Sequence, residues 1–272
     1  MARKICVTSG KGGVGKTTIV ASLGMTLAKN GYKTLLIDMD FGLNNLDVIM
    51  GIENKIVYDV IDVLEGKCQP KQALIQDFLE SNLFIFPSTH GFSKVRFGAR
   101  ELSSIIMQLD SYFDYVLIDC PAGIDGGFRR AVDSADEYIV VTTPHLSAIR
   151  DADKIINVLK TKHVPYLIIN RVRGDLVLDS KMLGVNTIAE SLSVKLLGVI
   201  PEDDSVTLQS LSAGAFESSS PIQISMNMIV KNLSGVDNKI FDCTKKYQGF
   251  WGSIRKRLRG RVWGIWLIWK TD

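Results

Sequence analysis

The chain has no tryptophan in its first 250 residues, only four cysteines, and no long apolar run. Each absence removes a class of protein. Cys6, Cys68, Cys120 and Cys243 are far apart and form neither a CxxC pair nor a Cys/His cluster, so the ligand spacing of a zinc site is missing. Reduced thiols in a cytosol-like compartment are expected. The longest apolar candidate, VWGIWLIW, has eight residues, against the roughly 20 that a spanning helix needs. The opening MARKICVTSG runs straight into a strand-like segment, with neither the apolar stretch of a signal peptide nor an Arg/Ser-rich transit region. A protein of the cytoplasm, or of the compartment that makes it, is the expectation.

What is present begins with an uneven charge. The formal net charge is +3, but residues 249 to 272 hold six basic residues and one acid, which leaves the first 248 residues at −2. Bulk charge therefore gives no support to nucleic-acid binding by the body. At 272 residues, with 46% hydrophobic and 22% charged side chains, the chain can bury a sizeable core.

Seven short runs rich in Ile, Val and Leu (KICVTS, KTLLIDMD, LFIFPS, YVLIDCP, EYIVVTT, PYLIINR and LLGVI) alternate with helix-compatible segments. Continuous apolar runs fit strands buried on both faces, and their alternation with helices implies right-handed crossovers. An α/β fold is expected, with a twisted, mostly parallel sheet flanked by helices near residues 16–30, 57–65, 98–110, 126–135, 147–162, 186–193 and 222–234. The organisation read from the sequence is a P-loop domain over 1–234, a polar linker over 235–249 and an amphipathic tail over 250–272.

After the first strand comes SGKGGVGKTT, which matches G-x-x-x-x-G-K-[ST] from Gly10 to Thr17. Gly10, Gly12, Gly13 and Gly15 let successive N–H groups, including those of Lys11, Val14 and Thr18, curl around phosphate oxygens. The following helix points its positive end at the same anion. Lys16 would reach the β- and γ-phosphates, and the Thr17 hydroxyl would bind magnesium. Hydrolysis also needs carboxylates at neighbouring strand ends. The strand LLIDMD carries Asp38 and Asp40, and YVLID ends in Asp119, followed by PAG with Gly123.

Lys11, a second lysine inside the loop, makes KGGVGKT the signature of the deviant Walker A ATPases. DFGLNNLD and IPEDDSV, together with VYDVIDVLEG, SAIRDADKII, INRV and the basic C-terminus, resemble the MinD group of that family, membrane-associated ATPases that place the division site in bacteria or plastids. The resemblance implies ATP and Mg2+ as cofactors and an ATP-sandwich homodimer in which Lys11 contacts the partner's nucleotide. It implies that Asp40 positions the attacking water, with Asp38 a second candidate, and that Asp119 supports magnesium. Gly123 would meet the γ-phosphate. Asn170, Arg171, Pro201 and Asp203 would line the base pocket, and Asp47 would organise the switch. SAIRDADK is similar to the surface where the family receives a division inhibitor and a MinE-like activator. A reversible, peripheral association with the cytoplasmic face of an inner membrane, or with the plastid stroma and inner envelope, is also implied. The alternative is a ParA-like ATPase for DNA or cargo partitioning, although nucleic acid is not an expected partner.

On a helix at roughly 100° per residue, Phe250, Trp251, Ile254, Leu258 and Val262 share one apolar face, with Arg255, Lys256 and Arg259 elsewhere. Such a basic amphipathic helix suits an interface with anionic lipid. A nucleic-acid arm with tryptophans stacking on bases is the competing reading. RVWGIWLIWKTD extends beyond where MinD relatives usually stop.

Overall fold

The computed structural model describes residues 1–40, 45–88, 98–202 and 219–250, together with Gly252–Ile254 and Lys256. Asp203, Trp251, Leu258, Val262 and most of the Ser-rich segment 205–221 lie outside the described residues. Eight strands form one sheet: β1 (Arg3–Thr8), β2 (Thr34–Asp38), β3 (Ile75–Gln76), β4 (Leu83–Phe86), β5 (Tyr115–Asp119), β6 (Glu137–Thr142), β7 (Tyr166–Val172) and β8 (Lys195–Pro201). Their order is β3-β4-β2-β5-β1-β6-β7-β8. All pairings are parallel except β3 with β4.

The seven apolar runs are strands because both faces of the sheet are covered and most of their residues are buried. Along β1, Ile5 and Val7 face one core and Cys6 the other; along β5, Leu117 faces the first, while Val116 and Ile118 face the second. Helices α1 (Lys16–Lys29), α2 (Asn45–Met50) and α9 (Pro221–Leu233) cover the first face through residues such as Ile19, Leu23, Leu46 and Met226. Helices α3 (Val60–Leu64), α4 (Ala99–Leu109), α5 (Gly126–Asp133), α6 (Leu146–Leu159) and α8 (Val185–Leu192) cover the second. The remaining helix, α7 (Gly174–Leu178), follows β7.

All seven expected helices are present; each ends one to three residues sooner than expected, while α6, α8 and α9 begin one residue earlier. α3 starts at Val60 rather than 57 because the Asp59 carboxylate accepts from the amides of Ile61 and Asp62, which stops the helix growing backwards. α2, α7 and β3 were not expected; with six, five and two residues they are too short to establish a period.

The far edge of the sheet is closed by α9. Gly198 lets the helix approach, since a Cβ there would lie 2.1 Å from Ile229. Ser225 Oγ then donates to the Val199 carbonyl at 2.5 Å, and Asn232 Nδ2 to the Leu197 carbonyl at 2.9 Å. On either side of β1 the chain winds in opposite directions, outward to β2 and β4 and the other way to β6, β7 and β8. The crevice at β1's carboxyl end is therefore a topological switch point, where open α/β sheets bind ligands.

Candidate nucleotide site

Residues Ser9 to Gly15 join β1 to α1 at that crevice. Gly13 and Gly15 have φ of 76° and 89°, the left-handed region that glycine enters without strain. Gly10 is constrained differently: a Cβ would lie 2.2 Å from the Asp151 carbonyl, so the loop passes α6 only because no side chain intervenes. At Gly12 and Gly13 a Cβ would meet nothing within 4 Å, so the loop there faces open space. α1 has no side-chain cap and no acidic residue in its first turn, which leaves its amino-terminal N–H groups and dipole for an external anion.

Lys16 and Asp119 are brought together in the buried floor. Their side chains are 8% and 0% exposed, and Nζ lies 2.5 Å from Oδ1. Burial pushes the Asp119 carboxyl above its ordinary value, against the pull of Lys16 and of the Thr17 hydroxyl beside it. Asp38 pairs with Asp119 in the β2–β5 register. Burial, reinforced by the charge of Asp119, pushes Asp38 up to about 7, although the Asp40 N–H donates to it at 2.8 Å and opposes the shift. Asp40 lies just beyond β2 and is half-buried, while Asp47 is buried in the first turn of α2.

These residues fit a magnesium ion. Asp38 Oδ2 and Asp119 Oδ2 are buried and make no hydrogen bond, an unusual state for carboxylate oxygens. With the Thr17 hydroxyl they offer only hard oxygen donors, the set magnesium prefers. Among the described residues no group of three His, Cys, Asp or Glu side chains forms a ready metal cage.

Lys11 is placed apart from Lys16. Its side chain is exposed, with Nζ 3.3 Å from Ser147 Oγ at the start of α6. The Gly123 N–H donates to the Ser9 carbonyl at 3.3 Å, with φ at 96°. Asn170, 9% exposed, donates from Nδ2 to the Val14 carbonyl at 2.8 Å, and its Oδ1 accepts from the Arg171 N–H. Arg171 is exposed with φ 57°, and Pro201 lies buried opposite Val172. Reading the sequence missed the Arg173 guanidinium, which sits 2.5 Å from Asp175 and 3.9 Å from Glu202 beside this pocket. The charge pattern R-x-D after a strand was its only signal. Ser9, whose carbonyl holds Gly123 and whose hydroxyl holds the Lys11 carbonyl, left no signal beyond its place in the loop.

The chain is similar to proteins already known. The AAA domain family matches residues 2–166. The septum site-determining protein MinD of Synechocystis is 42% identical over 265 residues, covering 96% of this chain and all of the relative. MinD of Bacillus subtilis is 45% identical over 210 residues, 76% of this chain and 78% of its own length. The MinC:MinD cell division protein complex of Aquifex aeolicus superposes with a TM-score of 0.80 at 37% identity, covering 86% of this chain and 96% of that one. MinD of Pyrococcus horikoshii, complexed with Mg-ADP, gives 0.77 at 29% identity over 86% of this chain and 96% of its own. At 42% identity over nearly its whole length to one such protein, and with the fold of others, the chain belongs to the MinD family of septum site-determining P-loop ATPases.

Proposed function

We propose that this chain is a magnesium-dependent ATPase that dimerises on ATP, binds anionic membrane through its basic tail, and there holds a division inhibitor. The observation that carries the reading is the division of labour between the two loop lysines. Lys16 is buried against Asp119, whereas Lys11 is exposed with its Nζ on the Ser147 hydroxyl at the start of α6, a weak surface contact that a second molecule's phosphate would replace.

The chemistry follows from what each group holds. Phosphates take the open loop amides and the uncapped start of α1, and Lys16 turns from Asp119 to the β- and γ-oxygens. Asp119, Thr17 and Asp38 or Asp40 are the residues that would hold magnesium, which supplies charge neutralisation at the phosphate oxygens when bound. Asp40 orients the attacking water. The Gly123 N–H leaves the Ser9 carbonyl for the γ-phosphate, so the segment after β5 responds to the loss of that phosphate. Asn170 keeps one N–H on Val14 and has a second N–H and a lone pair to offer adenine, with Arg171, Pro201 and Asp203 completing the pocket. Lys11 of one subunit stabilises charge on the other's nucleotide, so that turnover and assembly are coupled.

The MinC:MinD complex of the Aquifex relative supports an inhibitor of the MinC type as partner; the exposed start of α6, with Leu146 76% exposed, suits its docking and that of a MinE-like activator. In the described residues no helix is long and apolar enough to cross a membrane, so attachment rests with the tail, whose Phe250 and Ile254 are exposed on a helical turn. The expected site is the cytoplasmic face of an inner membrane or the plastid stroma and inner envelope. A ParA-like partition role has less support: the partition proteins that superpose do so at 23% identity, which carries the fold alone.

Analytical ultracentrifugation with ATP and with ADP tests the reading. The intact protein forms an ATP dimer that magnesium chelation prevents from turning over. Lys11→Ala retains nucleotide binding but stays monomeric with ATP, and its ATPase falls by roughly 100-fold or more. A normal ATP dimer of that variant overturns the reading, and ATP-dependent, salt-sensitive DNA retention favours the partition role.

A further inference from the structure

The segment leading to the tail is seated on α7. After α9 the chain returns across the body, where Asn232 Nδ2 also donates to the Lys239 carbonyl at 2.8 Å and where Cys243 and Tyr247 are buried. The approach is close: a Cβ on Gly174, the first residue of α7, would lie 1.9 Å from the Cys243 carbonyl oxygen. Residues 249, 250, 252–254 and 256 then have helical geometry. Gly252 among them is buried against the Tyr247 backbone, with a would-be Cβ 2.3 Å from its carbonyl carbon.

Lys256 is four residues beyond Gly252 and so on the same side of the turn. Its ammonium pairs with Asp179 Oδ1 at the C-cap of α7, while Lys181 lies 3.9 Å from the other oxygen. Phe250 and Ile254, also four apart, are exposed. Phe250 and Ile254 thus already face out, while Lys256, one of the cations that anionic headgroups would attract, is paired with the body.

We propose that Asp179 is an intramolecular competitor for the lipid phosphate. It latches Lys256 to the body and lowers the tail's resting affinity for anionic membrane. The inference rests on the membrane reading of the tail given above. One ammonium cannot pair closely with a carboxylate and a phosphate on different surfaces, so membrane binding must first break the Asp179 contact. An exposed ion pair of this kind changes an equilibrium by roughly twofold to fivefold. Two tails on one ATP dimer multiply that to roughly fourfold to 25-fold, enough to sharpen the difference between free and attached protein.

The test uses the full chain as wild type, Asp179→Asn, Lys256→Gln and the double variant, with mixed phosphatidylglycerol and phosphatidylcholine vesicles in ADP and in ATP. Asp179→Asn is expected to pellet with vesicles in ADP at a roughly twofold to fivefold lower lipid concentration, with vesicle-free ATPase unchanged. In the Lys256→Gln background the same substitution should have no effect. A gain that persists there reflects general removal of negative charge and overturns the latch, as does the absence of any gain. Hydrogen exchange of amides 249–256 without vesicles reads the latch by itself: it should quicken in Asp179→Asn, and an unchanged rate also overturns the proposal. If wild type exchanges as expected but never pellets in ATP, it is the membrane reading of the tail that fails, and lipid competition with it.

Discussion

Asp38 lies in the sheet one strand away from Asp119, and its environment opposes ionisation. With its folded value pushed up to about 7, above the ordinary carboxylate range, the folded state binds more protons than the unfolded one between about pH 4 and pH 7. Its stabilising effect is therefore complete below that window and is lost as pH rises through 7. Asp38→Asn should leave stability nearly unchanged at pH 4 and raise it by roughly 4 kcal/mol at pH 8, measured by urea denaturation of nucleotide-free protein. Equal gains at both pH values contradict this account. The same residues mark the reach of sequence reading. Gly10 to Thr17 and Asp119 were legible because each belongs to a local pattern with a chemical reason. The Asn170–Val14 bond and the Lys11–Ser147 contact were not, since their partners are 156 and 136 residues apart and only the fold joins them.

Among the elements, strands were easier to read than short helices. β2, β5 and β6 are almost wholly buried along their length, so composition alone reveals them. α2 and α7 have too few turns to carry an amphipathic period, and both sit at functional edges: α2 holds Asp47, and α7 holds the segment before the tail. The linker expected over 235–249 was inferred from its polarity. Polar composition conceals the buried Cys243 and Tyr247, which pack through two residues rather than a stripe. Gly174 is the point of closest approach, so Gly174→Ala must push the Cys243 backbone away. Limited proteolysis should then cut between 237 and 249 at least severalfold faster, at a cost of about 1–3 kcal/mol in stability, with the phosphate loop unaffected. Unchanged cleavage would mean that α7 shifts instead.

For the whole molecule, the uneven charge divides along the chain: a body near neutrality carries the candidate nucleotide site, and the segment that enters the strongly basic terminus reaches Lys256 beside α7. Removing residues 249–272 should leave ATP-dependent dimerisation intact and abolish vesicle pelleting. Removing only 261–272 tests whether RVWGIWLIWKTD deepens attachment, since equal pelleting of that truncation and the intact chain excludes such a role. The edges of the sheet bear on a different question, the geometry of assembly. On one side α9 lies against β8, with Ser225 and Asn232 donating to the Val199 and Leu197 carbonyls, and on the other β3 offers two residues. Both edges are therefore poor templates for another strand. Extension of the sheet is disfavoured as a way for copies of this chain to associate. If assembly uses the loop-bearing face instead, as proposed above, each contact would end when a phosphate leaves, and the protein would gather densely on a surface without becoming a permanent fibre.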